Sequence, residues 1–301
     1  MGTLRDRVVI VTGAGRGIGR EHALLFAAQG AKVVVNDLGG GTDGEGASQG
    51  PAHEVASEIN AAGGQAVAST HDIATAVGGD GVVETALDAF GALHGLVNNA
   101  GILRDRVLVN MSDDDWETSL RVNLSGHFYP TRAAARYWRE QSKAGDTVAA
   151  AVVNTASESG IFANAGQSNY AAAKSGVATL TEVWHKELRR YGVRVNCICP
   201  RAATRLTAQV GVAEVGADAP WHPSHVSPWV AYLLSADCEI SGQVFVVFGG
   251  LIVRAAPWSL DNAWKIDDKL HFEPEELPAR VATLGLPSNK GRDTGGVVRE
   301  D

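Results

Sequence analysis

Cysteine, long apolar runs and excess positive charge are scarce in this chain of 301 residues. The three cysteines, Cys197, Cys199 and Cys238, form no C-x-x-C pair, which argues against a disulfide framework and a zinc site. No stretch approaches the roughly 20 consecutive apolar residues that cross a bilayer. The net charge of −8 disfavours nucleic acid as a partner, because phosphate backbones are bound by clustered Lys and Arg. We therefore expect a globular protein with no metal site and no membrane span.

Targeting signals are also missing from the two ends of the sequence. The first residues enter a strand-like segment without the apolar core and small-residue cleavage site of a secretory signal. Residues 298–301 match neither a peroxisomal nor a retention signal. Together with the unpaired cysteines, these observations predict a cytoplasmic protein.

Short apolar segments rich in β-branched residues alternate along the chain with segments of helical spacing. This alternation predicts right-handed βαβ units and an α/β fold, in which helices cover both faces of a doubly wound, seven-stranded parallel sheet. We predict strands at Val8–Val11, Ala31–Val35, Gln65–Ala68, Gly95–Val97, Val148–Val153, Val193–Cys199 and Val244–Val247. We predict helices at Arg20–Ala28, Ala52–Ala62, Val82–Phe90, Asp114–Arg139 and Ala171–Arg190.

Residues 1–256 are predicted to form one domain, and residues 257–301 a C-terminal extension. The extension is richer in Trp, Pro and charge, and we expect it to pack on the domain or on a neighbouring subunit. Two loops interrupt the alternation within the domain. Leu38–Gly50 is rich in Gly, Ser and Asp, which indicates a flexible loop. Arg201–Ser227 contains two prolines and lies where an open sheet places a substrate-covering loop.

A glycine-rich turn follows the first predicted strand and precedes a helix. Its sequence, Thr12 to Gly19, has the spacing T-G-x3-G-x-G. Backbone N–H groups at the start of that helix can face a pyrophosphate, and glycine lets the backbone approach it closely. A similar turn without a ligand is the alternative. The residues predicted to contact the cofactor here are Gly13, Gly15, Arg16, Gly17, Ile18 and Gly19.

An acidic residue ends the second predicted strand. Asp37 is placed where a carboxylate accepts hydrogen bonds from an adenosine ribose. That carboxylate would repel a 2′-phosphate, which favours NAD over NADP. Arg16 is the opposing observation, because a guanidinium in the turn can pair with the same phosphate. We predict NAD as the cofactor, with NADP less favoured.

The ends of later strands supply further predicted cofactor contacts. Asp72 can accept a hydrogen bond from the adenine amino group, although acids are also common on surface loops. Asn98 and Asn99 can bind backbone groups of neighbouring strands and leave small residues beside the cofactor, or form a plain turn. The remaining predicted contacts are Ile73, Asn99, Ala100, Gly101, Tyr170, Lys174 and Pro200.

Tyr170 and Lys174 are four residues apart in a segment of helical spacing, so they share one helix face. A phenol is a poor base at neutral pH, but a nearby ammonium and an oxidised nicotinamide cation lower its pKa. We predict that Tyr170 takes the proton of a secondary alcohol while a hydride leaves, or donates a proton in the reverse reaction. Ser157 is predicted to hydrogen-bond the substrate oxygen. Asn123 is predicted either to hold a water beside Lys174, or to kink the helix or bond the backbone.

The chain resembles the classical short-chain dehydrogenases/reductases from about Leu4 to Val253. This resemblance implies a Rossmann fold, proton transfer by the tyrosine and the lysine, and a homodimer or homotetramer. It is carried by the order and spacing of Thr12–Gly19, Asp37, Asn98–Gly101, Asn123, Ser157, Tyr170 and Lys174.

Residues 33–40, 99–105 and 166–170 carry a closer resemblance. They are similar to the (3R)-hydroxyacyl-CoA dehydrogenase module of peroxisomal multifunctional enzymes, also classed with 17β-hydroxysteroid dehydrogenases, and to bacterial single-domain relatives. This implies an acyl-CoA or steroid-like substrate. Pro200-Arg201 stands where the family usually has Pro-Gly, so Arg201 is expected near the nicotinamide or its phosphates.

Three functional classes are compatible with these features. The first is an NAD-dependent oxidoreductase that interconverts a secondary alcohol and a ketone. The second is a catalytically silent protein that senses NAD(H), and the third is a structural dimer module that binds no dinucleotide. The complete set of Ser157, Tyr170 and Lys174 favours the oxidoreductase.

Overall fold

A computed structural model describes residues 2–208 and 215–256. They form a three-layer α/β fold in which helices cover both faces of one sheet, as the alternating sequence pattern predicts. The predicted C-terminal extension, residues 257–301, lies outside the described residues, and its packing stays a prediction. The predicted loop Arg201–Ser227 is described except for residues 209–214.

Within residues 2–208 and 215–256, eight strands form the sheet in the order β3-β2-β1-β4-β5-β6-β7-β8. The first seven are parallel, and the order reverses direction between β1 and β4, as in doubly wound Rossmann folds. The strands are β1 Val8–Thr12, β2 Lys32–Asn36, β3 Gln65–Ser69, β4 Gly95–Asn98, β5 Ala150–Thr155, β6 Val193–Pro200, β7 Val244–Phe248 and β8 Leu251–Ala255.

The eighth strand is antiparallel and extends the seven-stranded parallel sheet predicted from the sequence. Gly249 and Gly250 join β7 to β8, and both have positive φ values, of 43° and 90°. A two-residue connection with this geometry matches the twist of an antiparallel hairpin. The chain therefore turns back along β7 instead of crossing over a helix.

Helices connect the parallel strands on both faces. The described helices are α1 Gly17–Ala28, α2 Gly50–Ala61, α3 Ala76–Phe90, α4 Asp113–Leu120, α5 Gly126–Ala144, α6 Glu158–Phe162, α7 Ser168–Leu188, α8 Arg205–Ala208 and α9 Ser227–Leu234. The single helix predicted for Asp114–Arg139 is divided into α4 and α5 by a π-helical turn, Arg121–Ser125. Within the described part of the chain, none of these helices combines the length and the apolar character needed to span a membrane. The cytoplasmic location stays a prediction.

Two apolar layers hold the sheet between the helices. On β1, Val9 and Val11 pack into one layer, whereas Val8 and Ile10 pack into the other. All five β1 residues are buried, because successive side chains on a central parallel strand point to opposite, equally covered faces. This rigid centre fixes the carboxyl ends of the strands, where the loops meet.

Candidate active site

A cavity of about 720 Å³ opens at the carboxyl ends of the parallel strands. Open α/β sheets bind ligands at this edge, at the point where the strand order reverses. Gly19 and Asn123 lie just outside the cavity wall, and the other residues predicted for the site line it. These are Gly13, Gly15, Arg16, Gly17, Ile18, Asp37, Asp72, Ile73, Asn99, Ala100, Gly101, Ser157, Tyr170, Lys174 and Pro200.

The glycine-rich turn leaves β1 and enters α1 at Gly17. Gly13 has φ of 63°, and a Cβ there would lie 2.7 Å from the Cα of Ala100. Gly19 cannot carry a Cβ either, because that atom would overlap the carbonyl oxygen of Gly13. The first N–H groups of an α-helix have no partner within the helix, so the start of α1 can donate to an anion. The backbone shape and the free donors fit a pyrophosphate.

Asp37 directly follows β2 and is held by two backbone donors. One carboxylate oxygen accepts from the N–H of Gly15 at 2.8 Å, and the other accepts from the N–H of Gly39 at 2.7 Å. Each oxygen retains a second lone pair for a hydroxyl donor. The carboxylate is thereby fixed beside the glycine-rich turn, in the position expected of a ribose ligand.

Asn99 ties the end of β4 to the end of β1. Its side-chain amide donates to the carbonyl oxygens of Thr12 at 3.0 Å and Gly13 at 3.2 Å. The Thr12 hydroxyl accepts in return from the backbone N–H groups of Asn99 and Ala100. Asn99 therefore binds backbone groups of a neighbouring strand, which is one of the two roles predicted for the tandem asparagines.

Asp72 lies in the cavity wall after β3. One carboxylate oxygen accepts from the backbone N–H of Ala74 at 3.0 Å, and the other lies 3.4 Å from a guanidinium nitrogen of Arg121. The side chains of Asp72 and Arg121 are 36% and 47% exposed, so water screens this ion pair. A contact from Asp72 to adenine stays a prediction.

Tyr170 and Lys174 lie one turn apart on α7. Both line the cavity, together with the segment that follows β5. The ammonium of Lys174 lies 5.7 Å from the centre of the Tyr170 ring and donates to the carbonyl oxygen of Thr155 at 2.7 Å. Ser157 begins α6, and its hydroxyl interacts with that of Tyr170. The phenol of Tyr170, the hydroxyl of Ser157 and the ammonium of Lys174 therefore belong to residues that line the same cavity.

Burial shifts the pKa values of these two groups in opposite directions. It raises the pKa of Tyr170 to about 12, and the hydrogen bond with Ser157 opposes that rise. It lowers the pKa of Lys174 to about 8, because an ammonium loses its hydration in the protein interior. Without cofactor, Tyr170 is therefore protonated at neutral pH. The lowered tyrosine pKa expected when an oxidised cofactor is bound stays a prediction.

Asn123 is buried in the π-helical turn behind the cavity. Its amide donates to the carbonyl oxygen of Ile102 at 3.0 Å, and its oxygen accepts from the N–H of Ile102 at 3.1 Å. The structure therefore shows the backbone-bonding role. A Cβ on Gly101 would lie 2.8 Å from the Asn123 oxygen and 3.6 Å from the Lys174 nitrogen, so these groups face one small space. The predicted water beside Lys174 stays a prediction.

Arg201 does not line the cavity itself, and its expected place near the nicotinamide stays a prediction. Its guanidinium forms a bidentate ion pair with Glu158 at 2.5 and 2.6 Å, and the lining of the cavity comes from its neighbours. Arg205 does line the cavity. Burial lowers the pKa of Arg205, and the nearby positive charge of Arg16 lowers it further. The sequence analysis missed Arg205 and Glu158. No local pattern marked Arg205, because residues 201–204 are not helical and α8 begins only at Arg205.

Known proteins match this chain over most of its length. The family model described as short chain dehydrogenase matches residues 7–211. Hydroxyacyl-CoA dehydrogenase ChsB1 of Mycobacterium tuberculosis is 43% identical over 289 residues, covering 92% of this chain and 88% of that protein. Peroxisomal multifunctional enzyme type 2 of Drosophila melanogaster is 47% identical over 253 residues, covering 84% of this chain but only 39% of that protein. The crystal structure of a short chain dehydrogenase from Mycobacterium avium superposes with a TM-score of 0.85 and 47% identity, covering 94% of this chain and 96% of that one.

Proposed function

This chain belongs to the short-chain dehydrogenase/reductase family, and on that premise we propose that it is an NAD-dependent dehydrogenase of 3-hydroxyacyl-CoA thioesters. It would interconvert the 3-hydroxyl group and a ketone. The observation that carries the proposal is the meeting of Tyr170, Ser157 and Lys174 at the wall of a cavity that starts at the glycine-rich turn. The similarity to hydroxyacyl-CoA dehydrogenase ChsB1 over nearly the whole chain supports this substrate class.

Tyr170 is the proposed proton-transfer residue. A bound nicotinamide would supply the hydride acceptor or donor. In ketone reduction, the neutral phenol donates its proton to the developing alkoxide, and burial keeps that phenol protonated at neutral pH. In alcohol oxidation, Tyr170 must first lose its proton, and the Lys174 ammonium nearby favours the phenolate.

Ser157 and Lys174 are the proposed supporting residues. The Ser157 and Tyr170 hydroxyls are proposed to hydrogen-bond one substrate oxygen, since both residues line the same cavity. Lys174 is 2% exposed and is anchored by the carbonyl oxygen of Thr155, so its charge is held in one position. Asn123 is proposed to act indirectly: its two hydrogen bonds to the backbone of Ile102 fix that residue and the adjoining Gly101. These roles divide proton transfer, substrate orientation and electrostatic support among neighbouring side chains.

The family uses NAD or NADP, and we propose NAD because Asp37 is fixed beside the glycine-rich turn. Arg16 and Arg205 oppose this choice with positive charge in the same cavity. The test is the ratio of NADPH to NADH dissociation constants, measured by fluorescence for the wild type and for Asp37→Asn. We expect NADH to bind at least about tenfold more tightly in the wild type, and the ratio to fall in the variant as the carboxylate charge is lost. Equal affinities in the wild type would reject the choice.

A substrate screen tests the reaction itself. Purified protein is given NAD or NADP with (3R)- and (3S)-3-hydroxyacyl-CoA of several chain lengths, and with steroid alcohols, while absorbance of the reduced cofactor is followed. We expect turnover of a hydroxyacyl-CoA stereoisomer with NAD. Turnover of steroid alcohols alone would replace the proposed substrate class. Tight NADH binding without turnover of any alcohol would instead support a catalytically silent sensor.

A further inference from the structure

The loop between β2 and α2, residues 38–49, crosses the mouth of the cavity. It begins next to Asp37, and Gly40, Gly41, Thr42 and Gly44 line the cavity. On the far side it reaches the segment after β4, where the N–H of Leu103 donates to the carbonyl oxygen of Thr42 at 3.0 Å. The loop was predicted to be flexible, yet it is attached to the fold on both sides of the cavity.

Arg104 makes the principal side-chain attachment of this loop. Its Nε donates to the carbonyl oxygen of Asp43 at 2.7 Å, and its two terminal nitrogens pair with Glu45 and with Asp114 at the start of α4. The Arg104 side chain is only 10% exposed, whereas those of Glu45 and Asp114 are 71% and 75% exposed; Asp115, which is 18% exposed, lies 4.0 Å away. An isolated surface ion pair contributes little, but a planar guanidinium that joins three acceptors forms a network.

The backbone of Arg104 also touches the catalytic helix. Its carbonyl oxygen accepts from the side-chain amide of Asn169 at 2.9 Å, and the oxygen of that amide accepts from the N–H of Tyr170 at 2.7 Å. One residue therefore contacts the loop over the cavity, the start of α4 and the start of α7. None of the roles proposed above for cofactor or substrate includes Arg104.

We propose that Arg104 is a positioning residue that holds the β2–α2 loop closed over the adenosine half of the bound dinucleotide. This inference rests on the proposed function, since it requires that the cavity binds NAD(H). The loop begins directly after Asp37, and the N–H of Gly39 in the loop donates to the Asp37 carboxylate. Opening the loop would therefore disturb the proposed ribose contact as well as uncover the cavity. Arg104 acts through the loop and does not need to touch the cofactor.

The test compares five single variants with the wild type, one of them Arg104→Lys. Arg104→Met removes the charge and all three contacts of the guanidinium, and Glu45→Gln weakens the loop side alone. Asp114→Asn weakens the α4 side alone. Arg106→Met is the matched control, because Arg106 lies on the same segment, is exposed and donates to the carbonyl oxygen of its neighbour Asp105. NADH and ADP-ribose binding are measured by fluorescence and competition, and NADH release by stopped flow.

We expect Arg104→Met to raise the dissociation constants of both NADH and ADP-ribose by about tenfold, mainly through faster release. The cofactor KM should rise with them, whereas kcat at saturating cofactor should change much less. Glu45→Gln should show part of the effect, and Asp114→Asn and Arg106→Met should stay near the wild type. Arg104→Lys should restore part of the affinity, because an ammonium replaces the charge but cannot join three acceptors at once.

Four outcomes separate the possible failures. Unchanged NADH release in a folded Arg104→Met protein would overturn the proposal. A full effect from Asp114→Asn with none from Glu45→Gln would also overturn it, because Arg104 would then only stabilise α4. If Arg104→Met does not fold, Glu45→Gln decides, since that side chain is 71% exposed. A wild type that binds neither NADH, NADPH nor ADP-ribose would instead reject the proposed function.

Discussion

At the scale of single residues, the hydroxyl of Tyr170 is the atom on which the proposed chemistry depends. We expect Tyr170→Phe to lower kcat at least about 100-fold, because the variant has no group that can exchange a proton with the substrate oxygen. NADH affinity should stay within about twofold, because the ring is kept and the glycine-rich turn is untouched. Steady-state kinetics and NADH fluorescence titration measure the two quantities. Activity retained by the variant would contradict the assignment.

Lys174 gives a residue-scale prediction about pH and stability. Burial lowers its folded-state pKa to about 8 from the 10.5 of an exposed lysine. Between these values the unfolded chain binds a proton that the folded chain has lost, so stability rises with pH through this window. From pH 7 to 9.5, the free energy of unfolding of the wild type should gain about 2 kcal/mol relative to Lys174→Met. Urea unfolding at several pH values measures this difference.

Lys186→Met is the matched control for that experiment. Lys186 lies on the same helix, but its side chain is 66% exposed and pairs with Glu182. Its variant should follow the wild-type pH profile closely, because an exposed ammonium is hydrated in both states. Parallel profiles for wild type and Lys174→Met would show that Lys174 keeps an ordinary pKa in the folded protein.

At the scale of elements, the turn between β1 and α1 is packed too tightly to accept a side chain at Gly19. A Cβ there would overlap the Gly13 carbonyl oxygen and lie 2.5 Å from the Asn99 amide nitrogen. We expect Gly19→Ala to lower the free energy of unfolding by about 3 kcal/mol and to weaken NADH binding, because backbone must move. Gly63→Ala is the comparison, since Gly63 has φ of 85° but no atom near its Cβ site. Its cost should be about 1 kcal/mol, from backbone strain alone. Equal losses in the two variants, measured by denaturant unfolding, would contradict this.

The parallel strands and their helices could be predicted from the sequence because each has its own local pattern. β1 begins with four apolar residues, β2 has three consecutive valines, and α7 carries regular helical spacing. β8 was missed although Leu251-Ile252-Val253 is a short apolar run, because the expectation of an all-parallel sheet left no place for it; its exposure cannot be read from the sequence. The Gly249-Gly250 pair was a second local signal. A kink at Asn123 was only an alternative, and the break between α4 and α5 could not be located from the sequence, because Asn123 bonds to the backbone of Ile102, which is 21 residues away.

Some residues of the candidate site could likewise be predicted from the sequence, and others could not. Residues within a spaced motif, such as Tyr170 and Lys174, could be predicted because the spacing itself sets their geometry. Arg205 and Glu158 could not be assigned, because their neighbours come from other strands of the sheet. The ion pair of Arg201 could not be predicted for the same reason: its partner Glu158 is 43 residues away in sequence. Contacts between segments that are distant in sequence were the part that required the structure.

At the scale of the whole molecule, the predicted homodimer or homotetramer has yet to be tested. β8 forms one edge of the sheet, and its Leu251, Ile252 and Val253 side chains are 44–53% exposed. Exposed apolar strands at a sheet edge are prone to association. We expect sedimentation velocity at micromolar concentration to show two or four associated chains of 31.5 kDa each. A single 31.5-kDa species across the concentration range would reject the prediction.

The cavity draws its walls from residues as far apart in the sequence as Gly13 and Pro223. During synthesis, the residues of the glycine-rich turn therefore leave the ribosome long before those that form the opposite wall of the cavity. Domains of this size generally fold as units, so a nascent chain lacking β6 and the residues beyond it offers a dinucleotide only part of its binding surface. A dinucleotide that binds only the complete domain would then stabilise the folded protein against unfolding, but would not bind the incomplete nascent chain.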